Sequence, residues 1–348
     1  MRVLLVKMSS LGDVVHTLPG VSDARAALGA DGVVFDWVVE EAFADIPARH
    51  PGVDRVLPIA WRRWRRDLRG SRGELAGFLR RLRERRYDLI LDAQGLLKSA
   101  AVCALARGGE RSGLSRRSAR EGAAAWFYRR RVEVPRGWHA VDRIRSLFAG
   151  ALDYPVPDGP PDFGIGGGAT NPGRRALLLH GTTWPSKHWP ERFWHDLAGR
   201  AAAAGFEVLV PWGDAPEAER AQRIVADSTA RVLERQPLAA LIDELAGARL
   251  LVGADSGLAH LGAALGVPTV VIYGSTDSGL TGCRGPRVRN LQTRFPCSPC
   301  LGRACGYRGP AQHALGAAVE PACYSTLPPD AVWRAAEELL HADRVLHL

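Results

Sequence analysis

The chain has 348 residues, of which 46% are hydrophobic and 24% are charged, and its formal net charge is +9. This length favours two domains that each bury a core of their own. No apolar run reaches the roughly 18 residues that a membrane-spanning helix needs, and the N-terminus leads directly into a strand without the pattern of a signal peptide. We therefore expect a soluble cytoplasmic protein, which excludes the integral-membrane and secreted classes.

The positive charge is concentrated in the first part of the chain. Residues 1–150 contain 28 Lys and Arg against 17 Asp and Glu, whereas the rest contain 18 against 20. The segment WRRWRRDLRGSR, residues 61–72, has six arginines and two tryptophans. It is either a solvated loop or helix face, or a site for an anionic substrate at a membrane surface. No helix-turn-helix pattern or aromatic RNA-binding signature accompanies the charge, so we expect no nucleic-acid partner.

Lysine is rare in this composition. Of 46 basic residues, only Lys7, Lys98 and Lys187 are lysines. A composition that uses arginine wherever a generic cation suffices makes these three candidates for sites that need a compact ammonium group.

The first half of the chain predicts apolar strands that alternate with helices, the pattern of a parallel sheet covered on both faces. In chain order, the pattern predicts a strand at 2–7, a helix-like stretch at 14–28, strands at 34–39 and 55–59, a helix at 73–86, a strand at 87–95, a helix at 97–108 and a basic helical stretch near 116–131.

The alternation restarts in the second half and predicts a second doubly wound domain. The predicted elements are a strand at 175–182, a helix at 190–205, a strand at 207–213, helices at 215–227 and 237–248, a strand at 249–255, a helix at 256–266, a strand at 268–275 and a final helix at 328–342.

These patterns predict the domain organisation. Residues 1–155 form one Rossmann-like α/β domain and residues 174–327 another, and the Pro- and Gly-rich residues 156–173 link them. We expect the last segment, 328–348, to pack back on the first domain. Ligands of open α/β sheets bind beyond the carboxyl ends of the strands, so function is expected there, in a cleft between two facing sheets.

Two strand ends of the second domain carry groups that suit an anion. Asp255, Ser256 and Gly257 end a buried strand and open a helix, where backbone N–H groups and the helix dipole favour phosphate. His260 follows one turn later and is either part of this site or a core histidine. The segment HGTTWPSKHWP, residues 180–190, offers Thr182, Thr183 and Lys187, and reads either as a phosphate site or as a helix cap with a surface lysine.

The first domain places an acid in a similar turn. In KMSSLGDVVHTLP, residues 7–19, Asp13 is the one acid among serines and Gly12 where a buried strand gives way to a helix. The chain has no Walker A sequence, no adjacent-glycine dinucleotide fingerprint and no Asp-x-Asp pair for a divalent metal. If a diphosphate binds, lysine, histidine and helix N-termini must neutralise it, and the predicted chemistry is metal-independent.

Eight segments together resemble bacterial lipopolysaccharide heptosyltransferases of glycosyltransferase family 9, in particular the heptosyltransferase I subgroup. They occur in the family's order and extend through nearly the whole chain up to about residue 277. They are VKMSSLGDVVHTLP, FDWVVEEAFADIP, RRWRR, LDAQGLLKSA, TTWPSKHWP, PWGDAPEAER, DSGLAHLGAALGVP and YGSTD.

The resemblance implies a GT-B fold, with two Rossmann-like domains facing across a cleft. It implies transfer of L-glycero-D-manno-heptose from ADP-heptose, with anomeric inversion, to the inner 3-deoxy-D-manno-octulosonic acid (Kdo) of Kdo2-lipid A, at the cytoplasmic face of the inner membrane. A monomer without a required cofactor is expected. The alternative is a later-acting heptosyltransferase with a heptose acceptor, or another GT-B sugar transferase.

The resemblance also implies roles for residues. Asp13 would be the general base that takes the proton from the acceptor hydroxyl, and Lys187 would assist departure of ADP. The donor-binding set would be Thr182, Thr183, Lys187, Glu217, Asp255, Ser256, Gly257 and His260. The acceptor-side set would be Ser10, Gly12, Arg62, Arg63, Arg65, Arg66, Lys98, Arg120 and His139.

Four cysteines depart from the pattern common to the family. Cys297, Cys300, Cys305 and Cys323 follow the spacing C-x2-C-x4-C-x17-C. They are either ligands of a structural zinc ion or reduced, partly buried thiols, and no catalytic metal is expected.

Overall fold

The structure is a computed structural model, and it describes residues 1–167 and 173–345. The chain divides into two compact units, Met1–Ile165 and Gly166–Leu348. The predicted linker, 156–173, thus begins inside the first unit, where Phe163 and Ile165 are buried. Its residues 168–172 lie outside the described residues.

The first unit is built on a six-stranded parallel sheet in the order β3-β2-β1-β4-β5-β6. This is the doubly wound dinucleotide-fold order. The central strand is a run of aliphatic residues buried on both faces, as a covered parallel sheet requires. The strands are β1 (Arg2–Val6), β2 (Val34–Glu40), β3 (Val53–Ile59), β4 (Tyr87–Asp92), β5 (Gly108–Leu114) and β6 (Arg130–Val132).

Six helices belong to this unit. The predicted stretch at 14–28 is two helices, because the first ends at Val15, with His16 as its C-cap, and the second begins at Leu18, with Pro19 in its first turn. The helices are α1 (Leu11–Val15), α2 (Leu18–Leu28), α3 (Trp61–Trp64), α4 (Arg72–Glu84), α5 (Leu97–Leu105) and α6 (Ala140–Leu152).

The predicted basic helix near 116–131 was wrong. The segment contains a short 3-10 helix, Gly122–Phe127, followed by β6. A side-chain hydroxyl competes with helix formation here, because the Ser115 hydroxyl accepts from the Ser118 N–H at 3.4 Å. The backbone of Arg130–Val132 obtains its hydrogen bonds by pairing with β5.

The second unit repeats the architecture with the sheet order β12-β11-β10-β7-β8-β9. Its strands are β7 (Arg175–Leu179), β8 (Glu207–Val210), β9 (Arg231–Val232), β10 (Leu250–Ala254), β11 (Thr269–Tyr273) and β12 (Val288–Gln292), with a separate hairpin of β13 (His313–Ala314) and β14 (Ala317–Ala318). Its helices are α7 (Glu191–Ala203), α8 (Ala215–Val225), α9 (Leu238–Ala246), α10 (Gly257–Ala264), α11 (Ser278–Thr281) and α12 (Pro329–Val345).

The last helix, α12, packs in the second unit. Val332, Trp333 and Ala336 are buried in the same core as Trp189 and Phe193. The apolar face of α12 therefore completes the core over the second sheet, and the expectation that this segment also packs on the first domain stays a prediction.

Candidate functional site

Three neighbouring strands of the second sheet end beside one another and carry most of the predicted donor-binding residues. Strands β11, β10 and β7 are adjacent, so their carboxyl ends lie at one edge. Asp255 follows β10, the loop with Lys187 follows β7, and Thr276 follows β11. This edge is where open α/β sheets bind ligands.

Asp255 is the centre of this edge. Its Oδ2 lies 2.6 Å from the Lys187 ammonium and accepts a 2.6 Å hydrogen bond from the Thr276 hydroxyl. Its Oδ1 lies 3.5 Å from Nε2 of His260. Burial acts to raise the pKa of the Asp255 carboxyl, but His260 and Lys187 outweigh it and hold that pKa well below its usual range. Asp255 is thus a buried carboxylate that positions two cationic side chains.

His260 is buried and held from both ring nitrogens. Nδ1 lies 3.2 Å from the Cys283 sulfur, which in turn lies 3.5 Å from the Tyr273 hydroxyl. Burial acts to lower the pKa of His260, but Cys283 and Asp255 raise it to about 10. His260 is thus packed in the core, as one of the two sequence-based interpretations expected, and its membership of an anion-binding site stays a prediction.

The start of helix α10 completes an anion-binding arrangement. Ser256 is its N-cap and Gly257 its first residue, so their backbone N–H groups stand at the positive end of the helix. The Ser256 hydroxyl oxygen is buried and has no hydrogen-bond partner within residues 1–167 and 173–345. A buried polar atom without a partner is costly, so this hydroxyl points to a ligand that would satisfy it.

The remaining donor-side residues border the same edge. The Thr182 hydroxyl donates to the Asp255 carbonyl at 3.2 Å, and Thr183 is exposed. Glu217 accepts from the Gly213 N–H at 2.8 Å. Its carboxylate also lies against Gly181, where a Cβ atom would come within 2.6 Å of Oε1. The structure therefore gathers the loops after β7, β8, β10 and β11 around one site.

In the first unit, the Asp13 carboxylate is fixed by its own loop. Oδ2 accepts from both the Ser10 N–H at 2.8 Å and the Ser10 hydroxyl at 2.9 Å, and Oδ1 lies 3.6 Å from the Lys7 ammonium. Burial acts to raise the pKa of Asp13, but Lys7, the Ser10 N–H and His16 outweigh it, and the pKa is lowered. The side chain is 46% exposed, so an ionised carboxylate oxygen is accessible at this turn. Gly12 lies in the same turn, within α1.

Three residues of the predicted acceptor side lie close enough to interact electrostatically. Burial and the nearby Arg62 and Arg65 guanidinium groups lower the pKa of Lys98, against the opposing effect of Glu40 and Glu121. Arg62 and Arg65 follow β3 and Lys98 follows β4, while Glu40 at the end of β2 offsets part of their mutual repulsion.

The other predicted acceptor residues have different surroundings. Arg63 donates to both Glu41 and Glu74, so its guanidinium is engaged in a surface ion-pair network. Arg66 and Arg120 are exposed. His139 is buried and caps helix α6, where its Nδ1 accepts from the Val141 N–H at 3.2 Å.

The four cysteines do not assemble the zinc site that their spacing suggested. Cys297, Cys300, Cys305 and Cys323 line one cavity of about 410 Å³, and all are free thiols. Within the described part of the chain, however, no three His, Cys, Asp or Glu side chains are placed to hold a metal ion together. The first three thiols lie exposed in irregular structure, whereas Cys323 is buried and burial raises its pKa to about 11.

Sequence reasoning missed three groups that hold the site. Thr276 lies in the segment YGSTD. Its hydroxyl at the end of a strand was the sequence signal that could have identified it as a site residue. Cys283 carries no sequence signal, since only the fold brings it to His260. Gln94 is the third, and it hydrogen-bonds the backbone of the Asp13 loop.

Two parallel sheets of dinucleotide-fold order are the features of GT-B glycosyltransferases. The model of glycosyltransferase family 9 (heptosyltransferase) matches residues 75–309. The chain belongs to this family, and it is a glycosyltransferase.

Individual relatives agree with this assignment. The chain is 48% identical to lipopolysaccharide heptosyltransferase 1 of Pseudomonas aeruginosa, over 99% of this chain and 100% of that protein. It superposes on E. coli heptosyltransferase WaaC with ADP with a TM-score of 0.82 and 39% identity, over 97% of this chain and 100% of that one. For the WaaC complex with ADP-2-deoxy-2-fluoro heptose, the TM-score is 0.80 and the identity 38%, over 97% and 99% of the two chains.

Among the described residues, no helix is both long enough and apolar enough to cross a bilayer.

Proposed function

We propose that this protein is an inverting heptosyltransferase that moves L-glycero-D-manno-heptose from ADP-heptose to the inner Kdo of Kdo2-lipid A. The observation that carries the proposal is the cluster of Lys187 and His260 around Asp255, beside a Ser256 hydroxyl that has no partner among the described residues. Its support is the similarity to a solved heptosyltransferase that holds an ADP-heptose analogue.

The donor diphosphate binds at the start of helix α10. The Ser256 hydroxyl and the Ser256 and Gly257 N–H groups donate to phosphate oxygens, and Lys187 supplies a point charge. His260, kept charged by Asp255 and Cys283, adds a second cation. These groups stabilise the charge that develops on ADP as it leaves, so the proposed reaction needs no divalent metal. Glu217 and Thr182 border the nucleoside end of the donor.

The acceptor hydroxyl is activated by Asp13. The oxygen of the acceptor hydroxyl attacks the anomeric carbon of the heptose. At the same time, the bond from that carbon to the β-phosphate oxygen of ADP breaks on the opposite face. The hydroxyl proton passes to Oδ1 of Asp13, because Oδ2 is already engaged by Ser10. A single displacement of this kind inverts the anomeric configuration.

The acceptor is an acidic sugar on a phosphorylated lipid. Lys98, Arg62 and Arg65 are crowded cations, and binding an anion beside them relieves their repulsion. In this proposal, the protein acts as a monomer at the cytoplasmic face of the inner membrane. Each basic residue near the anionic headgroups contributes about 1 kcal/mol to membrane binding.

A direct assay tests the proposal. The purified protein is incubated with ADP-heptose and Kdo2-lipid A in the presence of EDTA, and the lipid is analysed by mass spectrometry. A mass increase of one heptose and equimolar release of ADP are expected. Product only with an already heptosylated acceptor would identify a later-acting heptosyltransferase instead. Loss of activity in EDTA that returns with Mg²⁺ would refute the metal-free mechanism.

A further inference from the structure

The loop that carries Asp13 is held from a neighbouring strand by one amide side chain. Gln94 lies just beyond β4, and its Oε1 accepts from the Met8 N–H at 2.9 Å and the Ser9 N–H at 3.1 Å. Its Nε2 donates to the Ser9 carbonyl at 2.6 Å. The loop therefore obtains three hydrogen bonds from a single side chain 85 residues away from Ser9 in the chain.

The backbone at Gln94 is itself held by hydrogen bonds to a buried carboxylate. Its own N–H and that of Gly95 donate to the Asp92 carboxylate at 2.8 and 3.0 Å. The other oxygen of this wholly buried carboxylate accepts from the Tyr128 hydroxyl at 2.6 Å. The Lys7 ammonium also donates to the Ala93 carbonyl at 3.0 Å, so the two strand ends are joined at a second point.

The position of these bonds links them to the carboxylate. Ser9 directly precedes Ser10, whose N–H and hydroxyl both hold Oδ2 of Asp13. A change at the Ser9 peptide therefore moves the two donors that orient the carboxylate. Positioning errors of about 1 Å in a catalytic group can reduce the rate on the order of 100-fold.

We infer that Gln94 is a positioning residue for the proposed general base: it holds the Ser9 backbone so that Ser10 aims the Asp13 carboxylate at the acceptor. The inference rests on the role proposed for Asp13. In the proposed role, Gln94 acts through the backbone of Met8 and Ser9 and does not itself contact the reacting atoms.

Two substitutions separate hydrogen bonding from packing. Gln94→Met keeps the length and most of the volume but removes all three hydrogen bonds. Gln94→Glu keeps an acceptor for the Met8 and Ser9 N–H groups but replaces the donor to the Ser9 carbonyl with an oxygen. It also adds a negative charge near Asp13, whose pKa now depends on the opposing charges of Lys7 and His16. Gln222→Ala, on the exposed side of α8, is the matched control.

The test combines kinetics with hydrogen exchange of the full-length protein. With ADP-heptose and Kdo2-lipid A as substrates, Gln94→Met is expected to lower kcat on the order of 100-fold while KM for ADP-heptose changes less than twofold. Gln94→Glu is expected to move the acidic limb of the kcat–pH profile to higher pH. In hydrogen exchange followed by mass spectrometry, the peptide covering residues 7–16 is expected to exchange faster in Gln94→Met, whereas peptides from β1 and β2 keep the wild-type rate.

Each outcome decides the matter. Wild-type kcat in Gln94→Met, or unchanged exchange at 7–16, overturns the inference. So does slower turnover accompanied by faster exchange throughout the first unit, because that result describes a general loss of stability. If Asp13→Asn remains active, the proposed base is wrong, whereas an inactive Asp13→Asn beside a fully active Gln94→Met refutes only the positioning role.

Discussion

Replacing Lys187 by methionine removes the cation from a buried pair and leaves the Asp255 carboxylate behind. The two charged atoms are 2.6 Å apart, and the side chains are 16% and 7% exposed. Breaking a buried pair from one side costs about 3–5 kcal/mol. Asp255 keeps its hydrogen bond from Thr276 and its contact with His260, so we expect the lower end, about 3 kcal/mol, for unfolding of the second unit at pH 7.

The dependence on pH has a defined sign. The pKa of Asp255 in the folded protein lies below its value in the unfolded chain, about 3.9. The stabilisation is therefore present above that pH and is lost as the pH falls towards the folded pKa. Removing Lys187 raises the folded pKa, so the difference between the variant and the wild type should narrow as the pH is lowered from 7 to 3.

Urea unfolding followed by hydrogen exchange of the β10 and α10 peptides measures this effect without requiring the two units to unfold together. The double variant Lys187→Met with Asp255→Asn should recover part of the loss, because it removes the unpaired charge. Lys98→Met is the control, since the favourable effect of Glu40 on Lys98 is opposed by burial and by Arg62 and Arg65, so its removal should cost little. A loss below 1 kcal/mol in Lys187→Met, or no recovery in the double variant, would refute the reasoning.

Three further predictions concern the proposed base, the pKa of His260 in the second unit, and the pH dependence of the stability of the first unit. Asp13→Asn should lower kcat by about 10²–10⁴-fold with an unchanged KM for ADP-heptose, and a kcat near wild type would contradict its role as a base. Cys283→Ala should lower the pKa of His260 from about 10, measured by NMR of labelled histidine, and an unchanged titration would show that the sulfur has no effect. His50 is buried, its Nδ1 accepts from the Gly52 N–H, and burial and Arg25 lower its pKa to about 4. Because the unfolded chain takes up this proton first, stability should fall by about 2 kcal/mol from pH 7 to pH 5, and His50→Gln should weaken that slope in urea titrations.

The strands that could be predicted from the sequence are those in which consecutive residues are apolar because they are buried. Strands covered on both faces are predominantly apolar, and the segments VLLV of β1, LIL of β4 and TVVIY of β11 show this pattern. Strand β5 reads GGERSGL and β12 reads VRNLQ, and neither shows a pattern. Their backbones become strands because the neighbouring strands offer hydrogen bonds, a condition that exists only in the folded unit.

The same division applies to the site. The motifs at strand ends identified Asp13, Lys187, Asp255 and His260 as candidate site residues. The start of a helix after a buried strand can bind an anion or present an acidic side chain to solvent. The order of these residues along the chain did not show that Asp255 pairs with Lys187.

By itself, the sequence determined the class of fold, a division into two units and the strand ends that carry the candidate site. Hydrophobic periodicity and the Gly and Pro residues that interrupt it are local properties of the chain. Only the tertiary structure decided which partners those residues have. Cys283 reaches His260, Thr276 reaches Asp255, and Gln94 reaches Ser9 because parallel strands distant in sequence end side by side. The physical reason is that hydrogen bonds and ion pairs depend on distances in space, which the spacing of residues along a chain does not specify.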